Sequence, residues 1–381
     1  MDTLKKTILF DYQAFEMQPF GGVSRSYAEL IAHLRKTGAD CRIGLKESDN
    51  VYIQDEGVHP LHYTHDRFLA GKKYFRGQRR LIRMAMRALG RRNECLDINR
   101  DYCIKLLKRQ HFDIFEPTFF DSYFLPYLKG KPFVLTVHDM IPELLGMDAP
   151  QAQQKKLLCP LAAHIHVPSE NTKKDLVNIL NIKPEMVTVT PHGAPVPPAT
   201  HHPSPYPFPY LLFVGTREGY KNFIPFVDEC AIIIARHPEL HVVCTGSPFA
   251  EAEKRMLAGM GLLQHFIHKY ASELEMQTLY QNAVAFVYPS AYEGFGLPIL
   301  EAFVCGCPVL LNNASCFPEV GGDAALYFDI NQHGDLAEHI INILQSSSED
   351  RTAIIVKGRE QAKSFCWETT AQKLKQVYEL V

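Results

Sequence analysis

The chain has 381 residues, of which 46% are hydrophobic and 22% charged, and a formal net charge of -2. That length exceeds one ordinary domain, the composition excludes wholesale disorder, and the near-neutral balance argues against nucleic acid as a partner. No stretch of eighteen apolar residues suggests a transmembrane helix, and ten cysteines without a CxxC pair suit the reduced, buried thiols of a cytoplasmic protein better than disulfides or zinc.

The first expected strand covers residues 7–12, with no signal-peptide pattern before it. Gly21 and Gly22 follow. A helical pattern then runs over 24–36, with Tyr27, Leu30, Ile31 and Leu34 on one side and Gly38 closing it. Strand-like runs recur at 41–45, 114–116, 133–138, 164–168 and 187–190. Between the first and second of these, residues 67–93 hold ten Lys or Arg and no Asp or Glu. Within them, residues 78–92 set Leu81, Ile82, Ala85, Met86 and Leu89 beside Arg79, Arg80, Arg83 and Arg87. Two readings of that segment stand side by side: peripheral contact with an anionic bilayer, or an internal helix with a wet basic face.

A proline-rich stretch over 195–209 reads as an interdomain linker. The pattern then restarts with strands expected at 210–214, 240–244, 265–267, 285–288 and 308–311, and helices at 223–236 and 369–380. Strands and helices in alternation, with near-continuous apolar strands, predict an α/β fold with parallel sheets covered on both faces. The expected division is residues 1–200, joined by the C-terminal helix 365–381, and residues 201–364. A ligand cleft between the carboxyl ends of the two sheets follows from that plan.

The richest segment is Ser290-Ala-Tyr-Glu-Gly-Phe-Gly-Leu-Pro-Ile-Leu-Glu-Ala-Phe-Val-Cys-Gly306, which follows a buried strand. Gly294 and Gly296 permit a tight turn that a ligand can approach closely. Pro298 suits the first residue of a helix and Gly306 its C-terminal cap. A turn into a helix N-terminus presents free N–H groups, a ready phosphate site. Glu293 lies in the turn. Glu301, three residues past Pro298, either favours the positive helix end or accepts hydrogen bonds from ribose hydroxyls.

Glu293-Gly294-Phe295-Gly296-Leu297-Pro-Ile-Leu-Glu301, with its flanks, resembles the E-x7-E motif of glycosyltransferase family 4. The resemblance implies the GT-B architecture, two Rossmann-like α/β/α domains facing across a cleft, and a retaining transfer from a nucleoside diphosphate sugar. It places Glu301 on the ribose and Glu293 near the transferred sugar. The family's Arg-Lys-Asn turn, with both cations on the diphosphate, corresponds to Tyr220-Lys221-Asn222, so Tyr220 departs from the pattern. Arg217, earlier on the same turn, is a candidate for the missing charge, against the alternative that Arg217 and Lys221 face solvent. Asn313-Ala-Ser-Cys-Phe-Pro-Glu319 resembles a segment around the donor pocket.

In the first half, Gly21-Gly22-Val-Ser-Arg25 lacks GxGxxG spacing, which disfavours a dinucleotide cofactor. The family places this glycine pair beside the donor phosphates. Arg25 opposes its helix dipole, so it either meets an anion or points to water. His138 and Asp139, in Thr136-Val-His-Asp139, end a buried strand. The family resemblance gives His138 a contact with the sugar, while a satisfied structural histidine is the alternative; Asp139 either orients the imidazole or caps the next helix. Ser169 reads as an N-cap.

No metal or other cofactor is expected. The implied partners are a sugar nucleotide, GDP-mannose first and a UDP-sugar next, and a glycan or lipid-linked acceptor. A phosphorylase-type enzyme and a non-catalytic sugar-nucleotide binder are the other readings.

Overall fold

The computed structural model describes residues 5–53, 55, 57–60, 94–217 and 219–381. The basic stretch 67–93, including its helical segment, lies outside the described residues, as does Glu218.

In the first half, β1 (Thr7–Phe10), β2 (Asp40–Ile43) and β3 (Ile114–Glu116) pair in parallel in the order β2-β1-β3. Strands β4 (Val134–Thr136), β5 (His164–Val167) and β6 (Val187–Val189) pair in parallel in sequence order. A parallel bridge between Phe115 and Phe133 links β3 to β4. Helix α1 (Gly22–Lys36) turns Tyr27, Leu30, Ile31 and Leu34 into the core, the face expected from their spacing. It carries His33, Arg35 and Lys36 in its last turn, where the dipole favours cations. Gly38 follows at φ +84°. Helix α2 (Glu170–Leu180) begins at Ser169, whose side chain accepts from the Thr172 N–H as an N-cap does.

The second half is one six-stranded parallel sheet. Its strands are β7 (Tyr210–Phe213), β8 (His241–Thr245), β9 (Phe266–Lys269), β10 (Ala285–Tyr288), β11 (Val309–Asn312) and β12 (Leu326–Phe328). Tyr210 and Leu212 join one core cluster while Leu211 and Phe213 join another, and β10 and β11 divide in the same way. Both faces are therefore covered, which explains why these strands read as unbroken apolar runs. The order is β12-β11-β10-β7-β8-β9. This doubly wound order reverses between β7 and β10, and the crevice at their carboxyl ends is where such sheets bind ligands.

Helices α3 (Phe223–Ile234), α4 (Glu273–Asn282) and α5 (Leu297–Cys305) flank that crevice's strands, and α6 (Ser348–Lys363) leads back to the first half. The last helix, α7 (Trp367–Leu380), buries Trp367, Ala371, Leu374, Val377 and Tyr378 in the first half's core. The chain thus crosses between halves twice. At the crossing the Ala194 N–H donates to the Phe365 carbonyl at 2.9 Å, and Trp367 packs on Gly193 so closely that a Cβ there would collide with it. The proline-rich stretch carries no helix or strand.

Strand β12 is not among the strands expected from the sequence. The nine described cysteines are unpaired thiols, eight of them buried. Among the described residues no helix is long and apolar enough to cross a membrane.

Candidate functional site

The two loops at the switch point are bonded to each other. After β7 the chain makes a short 3-10 turn, Gly219–Lys221, and Asn222 follows at φ +51°. The Asn222 side-chain amide donates to the Pro289 carbonyl at 2.9 Å, and the Ala291 N–H donates to the Tyr220 carbonyl at 2.8 Å. This scaffold brings Lys221 Nζ within 2.5 Å of Glu293 Oε1, both side chains being nearly buried. Lys221 also lies 5.1 Å from the centre of the Tyr220 ring and 5.5 Å from that of Tyr288. Two aromatic faces therefore help hold a cation in a half-dry site. Burial, with Glu293 adjacent, raises the Tyr288 phenol well above its ordinary range, so it stays protonated.

Gly296 caps α5 at φ +95° and Gly306 ends it at φ +75°, conformations that glycine adopts without a Cβ clash. Helix α5 begins at Leu297, with Pro298 in its first turn. The preceding turn is pinned from behind, since Ser315 Oγ donates to the Glu293 carbonyl at 2.7 Å. Phe295 is buried, edge-on to His192 with ring centres 5.0 Å apart.

Arg217, the candidate for the second cation of the turn, is paired with other groups of the second half. Its guanidinium donates to Glu253 at 2.7 Å and 3.2 Å and to the carbonyls of Ser247 and Pro248 at 2.9 Å. It also lies 4.7 Å from the Phe249 ring centre. The side chain is 5% exposed, so it is not a solvent-facing charge either. A carboxylate three residues into the helix after β8 captures it, and nothing in the local sequence of the 217–222 turn announces that partner.

Across the cleft, Gly21 is the extended N-cap of α1, and Gly22 faces Leu297. Arg25, one turn in, meets an anion belonging to its own chain. Its Nη1 lies 2.6 Å from Glu301 Oε1, and its Nη2 lies 3.2 Å from Glu273 Oε1. Tyr280 donates its hydroxyl to Glu301 Oε2 at 3.1 Å, and burial keeps that phenol protonated. These groups border a cavity of about 240 Å³ that Tyr52, Met276, Ala271 and Val214 also line, a mainly apolar slot with a few polar groups. A larger cavity of about 510 Å³ lies at the interdomain crossing, beside Trp367, Phe365 and Val196, and holds none of the sequence-predicted site residues.

His138 is partly exposed, yet its Nε2 is buried without a hydrogen-bond partner. Burial, reinforced by His192, His166 and Lys155, pushes its pKa down to about 3, so the imidazole is neutral at ordinary pH. Asp139 does not orient that ring. It accepts from the Ile141 N–H at 3.0 Å at the start of the following short helix. The His138 carbonyl faces Gly294 of the second half, with no room for a Cβ on that glycine.

Several interdomain contacts carried little sequence signal. Ser169 and Thr172 donate to the Gly294 carbonyl at 2.8 Å and 3.2 Å. Tyr292 donates to Asp175 at 2.6 Å. Glu319 accepts from the Glu170 and Asn171 N–H groups, both at 2.7 Å, so its carboxylate seats on the start of α2. Each partner lies more than a hundred residues away, beyond any local pattern. Among the described residues no group of three or more His, Cys, Asp or Glu is arranged to hold a metal ion.

Residues 20–196 match the family model described as Glycosyltransferase Family 4, and residues 201–361 match the one described as glycosyl transferases group 1. The O-antigen chain mannosyltransferase B of Escherichia coli is 29% identical over 280 residues, 68% of this chain and 73% of that one. The O-antigen chain mannosyltransferase RfbU of Salmonella typhimurium is 26% identical over 58% of this chain and 63% of its own length. A crystal structure of Anabaena Alr3699/HepE in complex with UDP and glucose superposes with a TM-score of 0.70, at 15% identity, covering 99% of this chain and 100% of that one. This likeness shows the fold, the GT-B arrangement.

Proposed function

Given that the chain belongs to glycosyltransferase family 4, we propose that it transfers mannose from GDP-mannose, with retention, to a hydroxyl of a glycan or lipid-linked acceptor in surface polysaccharide synthesis. The observation that carries this reading is the placing of Glu293 and Glu301 at the switch-point crevice, opposite Gly22 and Arg25. The mannosyl donor is supported by the two O-antigen mannosyltransferases among its relatives.

In the proposed site, the apolar slot beside Glu301 takes the nucleoside, and the carboxylate accepts from the ribose hydroxyls in place of Arg25. Lys221 meets the diphosphate, and its charge offsets the negative charge that grows on the leaving group. The acceptor hydroxyl attacks the anomeric carbon on the face from which the diphosphate departs. One C–O bond forms as the other breaks, a diphosphate oxygen takes the hydroxyl proton, and the nucleoside diphosphate leaves. The transition state resembles an oxocarbenium ion. Glu293 is ion-paired with Lys221, which suits an orienting role rather than that of a covalent nucleophile. Neutral His138 exchanges hydrogen bonds with a sugar hydroxyl. No divalent ion or other cofactor enters the proposed reaction.

The test is a panel of sugar nucleotides scored by ligand-induced thermal stabilisation and then by label transfer. GDP-mannose should stabilise the protein and release GDP as label moves to an acceptor. Transfer from a UDP-sugar alone would redirect the donor assignment, and no stabilisation by any nucleoside diphosphate or sugar nucleotide would refute the reading. The same proposal includes peripheral association with the inner face of the cytoplasmic membrane through residues 67–93. Salt-sensitive binding to anionic liposomes, lost on neutralising those arginines, tests it.

A further inference from the structure

Behind the His138–Asp139 turn lies a buried ion pair to which no role has been given. Lys155 is 1% exposed and Glu143 3% exposed, with Nζ and Oε2 2.8 Å apart. Lys155 Nζ also donates to the Asp139 carbonyl at 2.8 Å and lies 5.6 Å from the centre of the Phe120 ring. The second carboxylate oxygen of Glu143 is buried without a hydrogen-bond partner. A buried pair left incompletely satisfied is roughly break-even for stability against apolar residues of similar size. Its effect on stability therefore gives no reason for an ammonium here.

The distinctive contact of Lys155 is its hold on the Asp139 carbonyl. That turn is where the halves meet, because the preceding carbonyl, of His138, abuts Gly294 in the loop that carries Glu293. The His138 ring makes no hydrogen bond through Nε2, so the aim of the imidazole rests on its backbone and on ring packing against Tyr27 and His192. The backbone is held on one side by Asp139 accepting from the Ile141 N–H and on the other by Lys155.

We propose that Lys155 is a positioning residue for glycosyl transfer: its ammonium fixes the Asp139 carbonyl, and so sets the His138 turn against which Gly294 closes. The inference rests on the transferase reading above. Glu143 holds the ammonium in place and makes no contact with substrate. Because the donor is gripped mainly by the second half, displacement of this turn should slow the chemical step and leave nucleotide binding intact.

The experiment compares the full-length wild type, Lys155→Met, and the double variant Lys155→Met with Glu143→Leu. It measures Tm, the Kd for GDP, and kcat and KM for the best donor. Lys155→Met alone should lower Tm, because it strands a buried carboxylate. The double variant should regain most of that loss and keep GDP Kd and donor KM within about threefold, while kcat stays down by about 10- to 100-fold, as expected for a misplaced reacting group. Recovery of kcat together with Tm would overturn the proposal, as would parallel loss of GDP binding. Should the double variant not regain its Tm, Lys155→Gln keeps an N–H donor for Asp139. Its kcat, measured below both melting points, should exceed that of Lys155→Met, and equal loss would overturn the proposal. A wild type that binds no nucleoside diphosphate would instead refute the transferase reading and this inference with it.

Discussion

Arg25 of the first half and Glu301 of the second form an ion pair across the cleft, 2.6 Å from nitrogen to oxygen. The carboxylate assigned to the ribose is thus already engaged by a cation, with Glu273 on the same guanidinium. Under the proposed function, donor binding at this site would be an exchange of partners rather than the filling of a vacant group.

That exchange predicts opposite effects for its two members. Glu301→Gln should weaken GDP binding by about 10- to 100-fold, the usual range for losing a hydrogen bond to a charged group. Arg25→Met should bind GDP at least as tightly as wild type, because the competing cation is gone. Calorimetric titration of both variants checks this, and weakened binding in Arg25→Met would mean that the guanidinium contacts the ligand itself.

Gly294 has no space for a side chain against the His138 carbonyl. Gly294→Ala should therefore wedge the halves apart. Turnover should fall by about 100-fold, while overpacking lowers stability by only ~1–3 kcal/mol. A larger radius of gyration in solution scattering should accompany the loss, and wild-type turnover with an unchanged radius would count against the contact.

Acid should weaken the fold through two histidines. Burial holds both His138 and His192 down at about 3, against an ordinary value of 6.5. Between those values the unfolded chain takes up protons that the folded chain refuses. The stability contributed by the neutral rings is full above pH 6.5 and drains away as pH falls toward 3. Denaturant melts of wild type and of His138→Gln should diverge most above pH 6.5 and converge through that window. A gap that stays constant with pH would exclude the linkage.

The two cations of the 217–222 turn should separate cleanly. Lys221→Met should weaken GDP binding by about tenfold or more, in line with loss of a charge-assisted contact. Arg217→Met should leave GDP affinity near wild type and cost stability instead, by ~1–3 kcal/mol, because it leaves Glu253 and two carbonyls short of a donor. Titration and thermal melts on the same preparations distinguish the two.

Much of this molecule was legible from residue order alone, for a physical reason. A strand covered on both faces must be apolar throughout, so Tyr210–Phe213 and Ala285–Tyr288 declared themselves. A turn that enters a helix through a left-handed residue favours glycine, so Gly296 and Gly306 marked both ends of α5, with Glu293 in the turn before it and Glu301 inside it. Those constraints act within a few residues, where sequence patterns are read. Partnership is decided by chain segments that meet only after folding. Glu253 holds Arg217, Glu301 holds Arg25 across 276 residues, and Glu319 seats on α2 from the opposite half. A charge carries no local mark of the carboxylate it will meet, so the sequence offered the candidate residues and only the tertiary structure decided which of them face one another.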